Sequence, residues 1–291
     1  MGSEMCIRDR FNTRAQKGDF KVQFVDQSDQ KALDDAIAKK PKLILLETPS
    51  NPLVRVVDIA AVCGKARQVG ALVGVDNTFL TPVFQKPLEL GADFVIHSTT
   101  KYINGHSDVI GGVVITKTEL HAEDLAWWGN CIGATGTPFD SYMTLRGIRT
   151  LGARMKVHEE SSAHILNYLQ SQSLVGNIYH PSLPEHPGHE IAKKQQSGFG
   201  SMLSFEFAGS FEQLKHFVGE LELFSLAESL GGVESLICHP ASMTHRAMGE
   251  AALAEAGVSQ QLLRLSVGLE DADDLIADLE QAFSKTQEAL S

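Results

Sequence analysis

Two segments combine residue types with a spacing suited to chemistry on a carbonyl compound. VDNTF (75–79) ends an apolar run on Asp76, and HSTTKYINGHS (97–107) sets Lys101 behind Ser98, Thr99 and Thr100. A lysine at the end of a buried strand is either a solvated charge or a nucleophile. Its amine becomes reactive when desolvation or a neighbouring cation lowers its pKa. An aspartate ending an apolar strand either caps the next segment or faces a cationic group of a ligand. The hydroxyls of Ser98 and Thr100, two residues apart on an extended segment, would point the same way and could donate to a phosphate beside a backbone amide.

Each feature is weak alone, and the combination is stronger. A cofactor carrying a pyridinium nitrogen, an aldehyde and a phosphate needs an acid partner, an amine and small donors. Pyridoxal 5'-phosphate is such a cofactor. Asp76, Lys101, and Ser98 with Thr100 supply the three groups from adjacent strand ends. Arg264 stands between apolar neighbours in LLRLS, so a guanidinium buried there needs an anion, either a structural carboxylate or a ligand's. Ser229 either opens the SLGG turn or lines a site, and Asn51, between Ser50 and Pro52, fits a turn. His97, His106 and His239 lack metal spacing and read as core or loop residues. Trp127 and Trp128 read as packing. No GxGxxG follows a predicted strand, which argues against a dinucleotide fold.

The elements that must position these residues alternate. Strands are predicted at 21–26, 43–46 (buried on both faces), 71–79, 92–98 and 111–117. Helices are predicted at 28–40 with Ser28 as cap, at 58–70 between Asp58 and Gly70, and at roughly 84–90. Such βαβ alternation implies a mainly parallel sheet with ligands at the carboxyl ends of its strands, where Asn51, Asp76 and Lys101 fall. From about 140 the character changes. A long helical region (139–172) has weak points at Gly147 and Gly152. A strand with alternation (201–209), a helix (210–221), two strand segments (231–240 and 262–270) and a final helix (271–290) follow.

The chain of 291 residues has room for one large or two ordinary domains. Its formal charge of −11 argues against nucleic acid or an anionic membrane as partner. No apolar run approaches the length of a membrane span. Cys6, Cys63, Cys131 and Cys238 form no CxxC pair and fit reduced thiols in the cytoplasm. MGSEMCIRDR (1–10) lacks the apolar core of a signal peptide and reads as a non-native leader.

ETPSNP (47–52), VDNTF (75–79), HSTTKYINGHSDVIGG (97–112), LAESLGGVESLICHPASMTH (226–245) and LLRLSVGLED (262–271) resemble the motifs of the trans-sulfuration enzymes of Cys/Met metabolism that depend on pyridoxal phosphate. Two longer stretches, 126–151 and 179–206, favour the γ-synthase branch. γ-Lyases and sulfhydrylases share most of the motifs. The resemblance implies an α/β fold of the aspartate aminotransferase-like type (fold type I). Its mainly parallel large domain would occupy 11–158, and a smaller α+β domain 159–291. It implies that Lys101 tethers the cofactor and later shuttles protons, and that Asp76 pairs with the pyridinium nitrogen. Ser98 and Thr100 would bind the phosphate, and Asn51 would lie near the ring's phenolic oxygen. Arg264 would take the substrate α-carboxylate, Ser229 would position the freed amine or the substrate, and Glu228 would discriminate substrates.

The implied reaction joins cysteine to an O-acylhomoserine, with succinate as the implied leaving group, giving cystathionine. The implied assembly is a homotetramer whose active site is shared across a dimer interface. Family members begin well upstream of the position matching Phe11. The resemblance therefore also implies an N-terminally truncated chain with a partial cofactor domain. The contrary reading is an inactive piece that keeps only subunit contacts.

Overall fold

The computed structural model describes residues 4–246 and 248–289. Helices α1 (Glu4–Gln16) and α2 (Gln30–Ala38) precede a four-stranded sheet built from β1 (Leu43–Glu47), β2 (Leu72–Asp76), β3 (Phe94–Ser98) and β4 (Gly112–Thr116). The first three strands are parallel and β4 returns antiparallel to β3. Helix α3 (Ile59–Val69) makes the β1–β2 crossover. It starts where the Asp58 carboxylate accepts from Ala61 N–H and stops at Gly70, whose φ of 74° suits a residue without a Cβ. The short α4 (Thr81–Phe84) follows β2.

Several expectations for this half need correction. Residues 21–26 form no strand; the edge of β1 is met by the Gln27 side chain, which donates to Leu45 O at 2.7 Å and accepts from Glu47 N–H at 3.2 Å. Asp29, not Ser28, caps α2, because Ser28 is drawn back onto the Asp26 carboxylate. β1 is covered on one face only: Leu46 is buried while Leu43 and Leu45 are exposed. The helix expected at 84–90 is displaced to 81–84.

Beyond β4 run α5 (Glu119–Cys131), α6 (Pro138–Ile148) and α7 (Leu151–Leu169). Of the two expected weak points, one is real: the helical region breaks just after Gly147, which has no room for a Cβ against the Asn104 backbone, whereas Gly152 lies inside the unbroken α7. Position 158 lies inside α7. A five-stranded sheet follows in the order β5 (Val175–Tyr179), β6 (Met202–Phe207), β9 (Leu262–Ser266), β8 (Leu236–Cys238), β7 (Ser225–Leu226). Helices α8 (His189–Gln195), α9 (Phe211–Glu220), α10 (Glu250–Ala256) and α11 (Ala272–Glu288) join its strands and close the chain. β6 alternates as expected, with Leu203, Phe205 and Phe207 facing the core, but its other face is covered too, so five of its six residues are buried.

Each sheet has its own apolar core, one centred on Val73, Val75 and α3, the other on Phe205, Phe217 and α11. A third cluster, including Phe79, Tyr102, Met155, Met202 and Leu230, lies between them and joins the halves. Dehydrating such side chains contributes roughly 1.5–3 kcal/mol each. Tyr102 and Ile103 of this third cluster follow Lys101 directly in the chain.

Candidate active site

The carboxyl ends of β2 and β3 form the floor. Asp76 pairs in register with Ile96, so strand alternation places Asp76, Ile96 and Ser98 on one face. The Asp76 carboxylate accepts from Thr78 N–H at 2.9 Å, which fixes its turn. The Thr78 hydroxyl in turn accepts from Ser98 N–H at 2.9 Å. The Ser98 hydroxyl oxygen is buried and, among the described residues, has no hydrogen-bond partner. A buried hydroxyl without a partner costs free energy unless a ligand satisfies it.

The expectation of two hydroxyls side by side on an extended segment is not met. β3 ends at Ser98, and Thr99–Ile103 winds into a single coil closed by Asn104 N–H on Thr99 O and Gly105 N–H on Lys101 O. The Thr100 hydroxyl is engaged with Gly111, accepting from its N–H at 3.0 Å and donating to its carbonyl at 3.3 Å.

Lys101 reaches across from this coil to the second half. Its Nζ donates to Ser229 Oγ at 2.9 Å. Burial pushes its pKa down to about 8, the Arg264 guanidinium pushes the same way, and Glu228 opposes both. Arg264 projects from the centre of the second sheet, between β6 and β8, and is 2% exposed. Its Nη2 donates to the carbonyls of Glu228 and Ser229, both at 2.8 Å, and its Nη1 donates to Asn51 Oδ1 at 2.8 Å. One guanidinium therefore ties the β1 loop to the turn carrying Ser229. Glu228 is exposed at the rim.

Lys101, Ser229, Arg264, Asn51 and Glu228 thus converge from segments more than 200 residues apart, with Asp76 and Ser98 on the floor. Reading the sequence missed three supports. Tyr102 is fully buried, its hydroxyl 2.8 Å from Ser201 Oγ, and its ring occupies the space a Cβ on Gly231 would need. Arg154 and Thr78 hold the coil and the Ser98 amide. Tyr102 and Thr78 stand beside the lysine and aspartate motifs, whereas nothing in the sequence around Arg154 signals its role. Trp127 and Trp128, expected to be packing residues, are 60% and 59% exposed, because α5 buries no residue in this chain.

A sequence model of the Cys/Met metabolism PLP-dependent enzymes matches residues 6–284. The chain belongs to this family. Among curated relatives, cystathionine γ-synthase of Escherichia coli (strain K12) is 59% identical over 273 residues, which is 94% of this chain and 71% of the relative. A cystathionine γ-lyase of Dictyostelium discoideum is 48% identical over 278 residues, 95% of this chain and 72% of the relative. The solved cystathionine γ-synthase of Xanthomonas oryzae pv. oryzae, in complex with aminoacrylate and cysteine, superposes with a TM-score of 0.96 at 52% identity. That match covers 99% of this chain and 74% of that one. The fold is accordingly the α/β fold type I of pyridoxal phosphate enzymes, and pyridoxal phosphate is the family's cofactor.

The residues present fit that group. The partnerless buried Ser98 hydroxyl suits a phosphate oxygen, and the Asp76 carboxylate at the neighbouring strand end suits a ring N–H. The depressed Lys101 amine suits an aldehyde.

Proposed function

We propose that this enzyme joins cysteine to O-succinylhomoserine by replacement at the γ-carbon, giving cystathionine, in the trans-sulfuration route to methionine. The observation that carries the reading is the Lys101 amine, held against Ser229 with its pKa lowered to about 8. At pH 8 about half of such an amine is neutral, against well under a hundredth for an ordinary lysine. The identity to a curated cystathionine γ-synthase supports the branch.

Pyridoxal phosphate, when bound, supplies an electron sink for charge developing on the substrate's α-carbon. Lys101 would tether its aldehyde, Asp76 would pair with the pyridinium nitrogen, and Ser98 would donate to the phosphate. Thr100 would join Ser98 by releasing its weak bond to Gly111 O, and Asn51 would sit near the phenolic oxygen. Arg264 would bind the substrate α-carboxylate through its planar fork. The neutral Lys101 Nζ would take the proton from the substrate α-carbon and carry protons to later positions, with Ser229 Oγ holding it in line. Glu228, exposed at the rim, would contact the incoming thiol substrate and discriminate between acceptors.

We further infer that the chain works as a homotetramer with its active site shared across a dimer interface. β4, α5, α6 and the α5–α6 loop expose Val113, Val114, Trp127, Trp128, Ile132 and Phe139, and exposed apolar side chains of this size suit an interaction face. Among the described residues no helix is long and apolar enough to cross a membrane, and Cys63, Cys131 and Cys238 are free thiols. Both observations suit a cytoplasmic enzyme.

The decisive experiment supplies the purified chain with pyridoxal phosphate and O-succinylhomoserine, with either cysteine or sulfide as acceptor. Cystathionine formation that disappears in Lys101→Ala is expected. Breakdown of added cystathionine with no synthesis would reassign the chain as a γ-lyase, and homocysteine from sulfide alone as a sulfhydrylase. Absence of cofactor uptake would favour a piece that serves only subunit contacts.

A further inference from the structure

Arg154 lies one helix away from the site and touches none of its ligand-facing atoms. It is buried at 6% exposure in α7. Its Nη1 donates to Tyr102 O at 2.8 Å. Its Nη2 donates to Gly147 O at 2.9 Å and to Ile103 O at 3.4 Å, and its Nε donates to Thr150 Oγ1 at 3.1 Å. Among the described residues all these partners are neutral oxygens, and no carboxylate pairs with it. A buried cation without an anion is expensive, so the carbonyls it meets must compensate it closely.

Those carbonyls are the open end of the coil that carries Lys101. Residues 102 and 103 end the coil, and the two backbone donors that follow, Asn104 and Gly105, are spent on Thr99 O and Lys101 O. Carbonyls at the end of a helical turn lack intrahelical donors and attract cations. The local sequence is shaped around the guanidinium. Gly105 has a φ of 73°, and a Cβ there would overlap the Arg154 guanidinium; a Cβ on Gly147 would overlap the Asn104 backbone. Helix α7 and the α6–α7 junction thus form a socket around residues 102–105.

We propose that Arg154 is a positioning residue for Lys101: by capping the carbonyls of Tyr102 and Ile103 it locks the 99–103 coil in the arrangement that aims Lys101 Nζ at Ser229. The inference rests on the proposed role of Lys101. The charged groups that act on the amine itself are Arg264 from β9 and Glu228 from the facing turn. Arg154 acts through geometry.

The test reads the Lys101 amine directly, without cofactor, by pH-dependent acylation followed by mass spectrometry. Arg154→Gln, Arg154→Lys and Thr150→Val are compared with the wild type, with folding checked by circular dichroism and cooperative melting. The socket predicts that Arg154→Gln and Arg154→Lys both raise the Lys101 titration point by about one pH unit, as the freed coil admits water. Lysine keeps the charge but cannot span three carbonyls, so it does not rescue. Thr150 is exposed, and its variant, which removes one tether, gives a smaller rise. If Arg154→Gln fails to fold, Thr150→Val decides. A folded variant whose Lys101 titrates as in wild type overturns the proposal, as does full rescue by Arg154→Lys. Borohydride trapping of pyridoxal phosphate on the wild type runs in parallel. A label found elsewhere than Lys101 defeats the assigned role of the lysine and leaves the socket standing on its own titration result.

Discussion

Arg264 does two jobs whose separation is testable. Its guanidinium satisfies three acceptors in the protein and lowers the pKa of Lys101. Replacing it with leucine leaves the Glu228 and Ser229 carbonyls and Asn51 Oδ1 without that donor. A loss of about 3 kcal/mol in denaturant unfolding is expected. The same change removes the neighbouring cation, so the Lys101 amine should titrate higher and be less neutral at pH 8. An unchanged Lys101 titration in a folded Arg264→Leu chain would show that burial alone tunes the amine. Asp76, Ser98 and Lys101 of the candidate site were legible because their types match separate parts of one cofactor and each stands at or just past a strand end, whereas Arg264, mid-strand in β9, was reached through the family resemblance. What the sequence could not reveal was partnership. Nothing local to LLRLS says that its arginine meets Asn51, and nothing in HSTTK says that Thr100 turns to Gly111. Tyr102 and Arg154 look like ordinary helix or core residues until the coil they hold is seen.

Elements with local end signals were readable and those defined by neighbours were not. Helix α3 between Asp58 and Gly70 and helix α9 after Ser210 follow from short-range hydrogen bonds. In α9 the Ser210 side chain accepts from Gln213 N–H while Gln213 reaches back to the Ser210 amide. Ser210→Ala should therefore destabilise the chain by about 1 kcal/mol in urea unfolding, and Ser210→Asp by much less. Residues 21–26 carry strand-like residues but find no ladder, since Gln27 meets the β1 edge instead. Helix α5 escaped notice because its apolar side chains form no inward stripe; all of them lie outside the core of this chain. The alternation of β6 was readable: Leu203, Phe205 and Phe207 enter the core of the second sheet, while Ser204 and Glu206 share the other face, where Ser204 Oγ donates to Pro52 O of the first half at 2.7 Å.

At the scale of the molecule, buried titratable groups set the acid limit. His97, His158 and His180 are each held near a pKa of about 4, chiefly by burial. Their values lie below those of the unfolded chain, so they favour the folded state fully above about pH 6.5 and progressively less as the pH falls toward 4. Each should cost about 2 kcal/mol by pH 5, and the urea midpoint should drop steeply between pH 7 and pH 5. Equal midpoints at the two values would contradict neutral burial of these rings. The exposed apolar face of β4, α5 and α6 makes a second prediction at this scale. Trp127→Glu with Ile132→Glu should shift the sedimentation mass toward smaller species, while a wild-type mass of one chain would remove the proposed assembly. The hydrogen bond between Lys101 and Ser229 has a consequence for the order of events in maturation. Its donor belongs to the first sheet, while its acceptor and the adjacent guanidinium belong to the second. A chain whose halves have not yet docked carries an ordinary protonated lysine, and a protonated amine does not attack an aldehyde. Incompletely folded chains would thus be slow to capture pyridoxal phosphate, leaving the cell's free pool to those that have finished folding.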